Sequence, residues 1–263
     1  MTPKLLLASA ALATALSAQA SVTLSDATTT YTQNFDSLAS SGASIAWVDD
    51  STLAGWSLVA AAPVTTYNTG NGSNGSTAGF FSFGATGSAE RALGAVVTNG
   101  FAGNGGTVYS VLSLTNGSGA AFSGFTLKYD GEQWRNNGNA AAQSLVVQYA
   151  FGASYASIAS GDWVTAGSAF NFTSPVIGAT AAIVDGNVAG KVANIGGSVT
   201  TDWSAGSTLW IRWADLNDSG NDHLLAIDNV SVSAVSAVPE PGAYAMLLAG
   251  LGAVGFVARR RRG

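Results

Sequence analysis

The sequence predicts an all-β protein: an antiparallel β-sandwich of jelly-roll type, with an N-terminal signal helix and a single C-terminal transmembrane helix. Three observations carry this. Several segments alternate apolar and polar residues with period two, the mark of strands buried on one face. Between them lie Asn-Gly and Asp-Gly pairs beginning at Asn71, Asn74, Asn99, Asn104, Asn116, Asp130, Asn137 and Asp185. These are turn signals, because Asn, Asp and Gly tolerate positive φ. Helix signals in the middle are weak, reaching only a short turn near Ser37–Ser40, and no repeat of fixed period points to a solenoid or propeller.

Residues 1–20 read as a secretory signal peptide. Lys4 gives the positive start, Leu5 to Leu16 is apolar, and Ala18-Gln19-Ala20 fits the small-x-small cleavage rule, leaving Ser21 as the mature N-terminus. Residues 21–235 read as one extracellular β-sandwich domain. In 122–129, Phe125, Leu127 and Tyr129 share one face, with Thr126 and Lys128 on the other. In 144–151, Leu145, Val147, Tyr149 and Phe151 alternate with Val146, Gln148 and Ala150. In 208–214, Leu209, Ile211 and Trp213 oppose Trp210 and Arg212. Further strands are expected at 107–114, 163–165, 181–184 and 225–233.

Charge and cysteine narrow the partners. Only 10% of the 263 residues are charged, against about 25% in an ordinary soluble domain. There is no cysteine, which excludes disulfide scaffolds and Cys-based zinc sites. Residues 21–235 hold five basic side chains against fourteen acids, a formal charge of −9. No nucleic-acid partner is expected, since such binders carry basic patches.

The C-terminus has three parts. Residues 236–242 form a linker around Pro239-Glu240-Pro241. Residues 243–258 are uncharged, and at 1.5 Å per residue span roughly 24 Å, a short transmembrane helix. Residues 259–263 are a basic tail in which Arg259, Arg260, Arg261 and Arg262 would be held on the cytoplasmic side. Val238-Pro239-Glu240-Pro241, the apolar run and the arginine cluster, in that order at the end of the chain, resemble the PEP-CTERM sorting signal. That signal is also described as the C-terminal domain of ice-binding proteins, a label that carries no ice binding here. The resemblance covers about residues 238–263. It implies an exosortase-type membrane protease as partner and an inner-membrane intermediate anchored by the C-terminal helix. Delivery to the cell surface or extracellular matrix would follow, in Gram-negative bacteria that make exopolysaccharide and biofilm.

Catalytic motifs are few. Two strings match G-x-G-x-x-G, at 70–75 and 250–255, but neither sits between a strand and a helix, as a dinucleotide site requires. His223 is the one histidine, so a His pair for zinc is impossible, and no G-x-S-x-G elbow exists. Glu90 and Glu132 are the only glutamates of the domain. Beside Arg91 and Arg135 they read first as ion pairs or rim hydrogen bonds. The rarer reading is a glycosidase pair.

Calcium has two candidate places. The string Arg212 to His223 groups carboxylates and amides around a Gly turn, suiting a hard cation with oxygen ligands. Asp215, Asn217, Ser219 and Gly220 match the opening of an EF-hand loop, but the twelfth position is Ala226 and no helices flank it. Asp215, Asn217 and Asp222 therefore make either an independent calcium loop or a polar hairpin that caps its own turns. The second place follows a resemblance. Asn34-Phe35-Asp36 and Ile227-Asp228-Asn229-Val230 are similar to the ends of jelly-roll carbohydrate-binding modules. Those modules often pair their first and last strands, and many hold a structural calcium there with an acid from each. The resemblance implies calcium at Asp36 and Asp228.

The middle also resembles a domain of bacterial extracellular proteins that sometimes precedes nuclease or lamin-tail modules. Its pieces are Glu90-Arg91-Ala92-Leu93-Gly94, Gly131-Glu132-Gln133-Trp134-Arg135-Asn136, and Arg212 to Asp218 leading into Asp222-His223. No catalytic module follows in this sequence, which favours binding or structure over chemistry. Trp134, in an expected loop among Glu132, Arg135 and Asn136, has the mixture of a saccharide rim: a ring face for sugar C–H groups, and polar groups for hydroxyls. Most other Trp are expected in the core, with one of Trp210 and Trp213 exposed. The sequence therefore predicts a non-catalytic, exopolysaccharide-binding surface protein. The alternatives are a purely structural matrix protein and a glycan-active hydrolase using Glu132 and an Asp.

Overall fold

The computed structural model describes residues 22–26, 28–103, 106–236, 248–251 and 259–260. The strands of the first half are β1 (Val22–Leu24), β2 (Thr30–Gln33), β3 (Ile45–Ala46), β4 (Trp56–Val59), β5 (Thr66–Gly70), β6 (Gly79–Phe83), β7 (Ala92–Val96) and β8 (Thr107–Asn116). Then come β9 (Phe122–Arg135), β10 (Ser144–Phe151), β11 (Val164–Thr165), β12 (Phe172–Thr173), β13 (Lys191–Trp203), β14 (Thr208–Leu216) and β15 (Leu224–Ser236). The first sheet runs β1-β8-β14-β10-β11, with β4 also on β8 and β12 also on β10. The second runs β13-β9-β15-β7-β6-β5-β3, with β2 also on β15. The all-β, two-sheet expectation holds. Pairing is antiparallel except at β1–β8 and β5–β6, which are parallel. The expected pairing of chain ends is made by β2 with β15, while β1 crosses to the other sheet.

The sheets meet through the alternating residues. Tyr129 of β9 meets Trp213 of β14 edge to face at 5.6 Å, and Phe125 of β9 meets Tyr149 of β10 at 5.4 Å. Trp56 of β4 stacks on Trp213 at 5.5 Å and receives Phe35 edge-on at 4.9 Å. Both Trp210 and Trp213 are buried, so neither is the exposed ring expected. Trp213 fills the core, while Trp210, on the outer face, is covered by Tyr155 at 6.0 Å.

Two sequence expectations fail at β9. Asp130-Gly131 is not a turn; the strand runs through it to Arg135. Gly131 serves a close approach instead: a Cβ there would lie 2.3 Å from Cγ of Phe172. Glu132, Gln133 and Trp134 therefore sit in a strand, not a loop. Residues 181–184 form no strand either, making only an isolated bridge between Ile183 and Arg135.

The expected signal peptide with Ala18 and Ala20 lies outside the described residues, as do Pro239, Glu240, Pro241, Arg261 and Arg262. Of the run 243–258, residues 248–251 are helical, and Arg259 and Arg260 are helical and exposed. Among the described residues no helix is long and apolar enough to cross a membrane.

Candidate metal centre

Side-chain alternation puts Tyr129 of β9 toward the core, so Lys128, Asp130, Glu132 and Trp134 face away from it. Register then places Glu132 opposite Ala226 and Asp130 opposite Asp228 on β15. Lys191 at the start of β13 lies opposite Glu132 on its other side. Glu90, just before β7, completes the group. Carboxylate oxygens of Glu90, Glu132 and Asp228 all lie within 4.8 Å of one another. Among the described residues this is the one group of three such ligands.

Each acid uses one oxygen and leaves the other without a partner. Glu132 Oε2 accepts from Trp134 Nε1 at 3.1 Å, Asp228 Oδ2 from Asn229 Nδ2 at 2.8 Å, and Glu90 Oε2 from Asn187 Nδ2. Glu90 Oε1, Glu132 Oε1 and Asp228 Oδ1 are buried and accept no hydrogen bond. Glu132 is 0% exposed and Asp228 2%. Burying charge without partners is costly, and like charges at this separation repel by about 3 kcal/mol per pair at an effective dielectric of 20.

The titration behaviour follows. Burial, then the charges of Glu90 and Asp228, push the Glu132 carboxyl up to about 8. Burial, with Glu90 and Asp36 adding repulsion, pushes Asp228 up to about 7. Asp130 goes the other way. Burial alone would raise it, but Lys191 at 2.8 Å, the Asn194 N–H and the Asn229 amide hold it below its ordinary value. Three clustered carboxylates, each with one buried oxygen lacking a hydrogen-bond partner, form an all-oxygen donor set of the kind that suits a hard divalent cation such as calcium. This donor set is not the one the sequence assembled: it shares Asp228 with the expected calcium site and replaces Asp36 by Glu90 and Glu132.

The other expected site residues fall elsewhere. Asp36 is exposed, and its carboxylate is occupied by Asn34 Nδ2 at 2.7 Å and the Arg91 N–H at 3.0 Å. It acts on Asp228 only as a neighbouring charge. Asp215 turns into the core, raised well above its ordinary value by burial and by Asp222 and Asp218. Asp222, pushed up to about 6 chiefly by burial, accepts from the Asp218 N–H at 2.9 Å. Asn217 donates to Asn99. Asn217, Asp218, Asn221 and Asp222 line an open polar groove of about 650 Å³.

The saccharide rim expected around Trp134 is a closed packing site. Trp134 is 2% exposed, stacked on Phe83 at 6.0 Å, which stacks on Phe81 at 5.2 Å. Gly186 lies so close that a Cβ would come within 2.3 Å of the indole. Asn136 is buried and accepts from the Ala182 N–H at 2.7 Å. Arg135 holds Asn137 Oδ1 at 2.9 Å and the Gly72 carbonyl at 3.1 Å. These groups pin loops to the outer face of the second sheet. Glu90 and Glu132 pair with neither neighbouring arginine: the one ion pair among the described residues is Lys191–Asp130. His223 is wholly buried between Ser174 Oγ at 2.9 Å and the Asn139 carbonyl at 3.0 Å. The carbonyl can only accept, so Nε2 donates to it.

No curated protein matches the chain. The K2 cleaved adhesin domain of Lys-gingipain is a solved structure with 15% identity and a TM-score of 0.37, the alignment covering 78% of this chain and 99% of that one. A family model of the PEP-CTERM protein-sorting motif matches residues 237–262. The motif marks an exported surface protein, processed by an exosortase membrane protease from a membrane-anchored intermediate.

Proposed function

We propose that the exported domain is a non-catalytic binding module of the cell surface or extracellular matrix. Its ligand class is extracellular polysaccharide, and its fold is braced by a calcium ion held by Glu90, Glu132 and Asp228. The observation that carries the brace is the set of three buried carboxylate oxygens without hydrogen-bond partners. A cation there relieves both the mutual repulsion and the missing hydrogen bonds. It also ties β9, β15 and the approach to β7 together. The carboxylates are built into a sheet face beside packed aromatics, a placement that suits holding an ion rather than working on a substrate. Polysaccharide as the ligand class is supported by the export route and by a surface of Asn, Ser and Gly loops able to bond hydroxyl groups.

The test is thermal unfolding and polysaccharide co-sedimentation of the full chain, with calcium and with chelator. A calcium-dependent rise in Tm that Glu132→Gln abolishes supports the brace. An unchanged Tm overturns it. Retention by a polysaccharide supports the ligand class, and no retention by any polymer moves the reading to a purely structural matrix protein.

A further inference from the structure

The outer face of the first sheet carries an arginine that forms no ion pair among the described residues. Arg212 of β14 lies opposite Val111 on β8 and Gln148 on β10. Its guanidinium is held between two rings: Cζ sits 3.8 Å from the Trp163 ring centre and 4.3 Å from that of Tyr109. Nε donates to Gln148 Oε1 at 2.9 Å, and Nη1 donates to the Tyr155 hydroxyl at 3.1 Å. Tyr155 leans on Trp163 at 5.5 Å and on the buried Trp210 at 6.0 Å. Arg212, Tyr109, Tyr155 and Trp163 are all half-exposed. These two bonds use two of the five guanidinium N–H donors, and among the described residues none accepts from Nη2.

Two rings and two hydrogen bonds restrain the guanidinium, and Nη2 stays without an acceptor among the described residues. Contact with two rings restricts beforehand the side-chain freedom an arginine normally loses on binding. The unused N–H donors are then a ready fork for a carboxylate, bonded through two parallel N–H groups. The rims of Trp163, Tyr155 and Tyr109 beside it offer apolar surface with a hydroxyl. One ligand class combines a carboxylate with apolar C–H faces and hydroxyls: a uronic acid residue of a glycan. The domain's formal −9 does not forbid it, since charges beyond about 10 Å are screened at ordinary salt.

We infer that Arg212, Trp163, Tyr155 and Tyr109 form a subsite for the uronate residues of an acidic polysaccharide. The inference rests on the reading of the domain as a polysaccharide binder and moves the contact from Trp134 to the opposite sheet. The test is affinity electrophoresis of the full chain through gels containing hyaluronate, its methyl ester, or dextran, with Tm measured for every variant. Hyaluronate is expected to retard the protein, while the ester and dextran do not. Arg212→Gln and Trp163→Ala are each expected to weaken retention tenfold or more. Arg212→Lys keeps the charge without the flat fork and guards against a folding defect; it is expected to weaken retention to a similar degree. Equal retention of the folded variants and the parent by hyaluronate overturns the subsite. Retention by dextran or the ester as strong as by hyaluronate overturns the uronate assignment and leaves polysaccharide binding standing. No retention by any polymer overturns both.

Discussion

Removing calcium should make the domain more stable in acid than at neutral pH, the reverse of ordinary acid denaturation. Without an ion, the native centre keeps protons that the unfolded chain has released, because Glu132 is pushed up to about 8 and Asp228 to about 7. Where the folded state binds more protons than the unfolded state, stability falls as pH rises. The window runs from the ordinary carboxylate range, about 4, to about 8. One such proton changes stability by about 1.4 kcal/mol per pH unit. From about pH 5 to pH 7 that is roughly 3 kcal/mol, and about 2–4 °C of Tm per kcal/mol makes the fall on the order of 10 °C. Asp215 and Asp222 are also raised and add to the slope. Asp130, held low, acts only in stronger acid. Calcium competes with the protons, so its stabilisation should grow with pH and flatten the profile, reaching about 3 kcal/mol at a hundredfold excess over its Kd. Differential scanning fluorimetry across this range, with millimolar calcium and with chelator, measures both. A chelated Tm that rises with pH refutes the charge argument. A calcium shift that does not grow with pH refutes these carboxylates as the ligands.

Glu132→Gln should raise the calcium-free Tm near pH 8, because a neutral amide ends the repulsion and can donate to Glu90 or Asp228, while the calcium response disappears; scanning fluorimetry shows both. Gly131→Ala should cost at least about 1–3 kcal/mol in denaturant unfolding, since the new methyl meets the Phe172 ring. Trp134→Ala should cost about 3–5 kcal/mol yet leave polysaccharide retention unchanged below its Tm, because the ring is packed on Phe83. A fall in retention with no loss of stability would restore Trp134 as a contact residue.

The strands legible in the sequence were those with clean alternation: β9, β10 and β14 lie where the period-two pattern put them. β8, β11 and β15 were also expected, while β3 to β7, β12 and β13 were not; in β13 the pair Gly196-Gly197 hides the alternation. Gly196 in fact has φ +119 at the edge of the sheet, and a Cβ there would meet the Leu127 carbonyl at 2.1 Å. Gly131 misled in the same way. A glycine that admits a neighbouring ring and a glycine that turns the chain look identical until the partner is known. The metal centre was half legible. Glu132 and Asp228 stood out singly, one as a sugar contact and one as a calcium ligand. Only the register of β9 on β15 brings them to one spot, and register is a long-range property. Glu90 stood out by its rarity, which paired it with Glu132 only as a candidate for catalysis and not as a metal ligand.

The position of the centre gives the brace a mechanical sense. The sorting motif at residues 237–262 begins where β15 ends, at Ser236. Any tether through that segment therefore pulls on β15. An edge strand would peel one hydrogen bond at a time, but β15 is interior, paired with β9 on one side and with β7 and β2 on the other. A pull along its axis loads many ladder bonds together. Asp228 sits in this strand, Glu132 in its β9 neighbour, and Glu90 at the entry to its β7 neighbour. The proposed ion would therefore cross-link the anchored strand to both flanks, at the point where Asn229 with φ +49 interrupts the ladder between Asp228 and Ser231. The carboxylate cluster thus falls where the β9 ladder of the strand that leads to the sorting tail is interrupted.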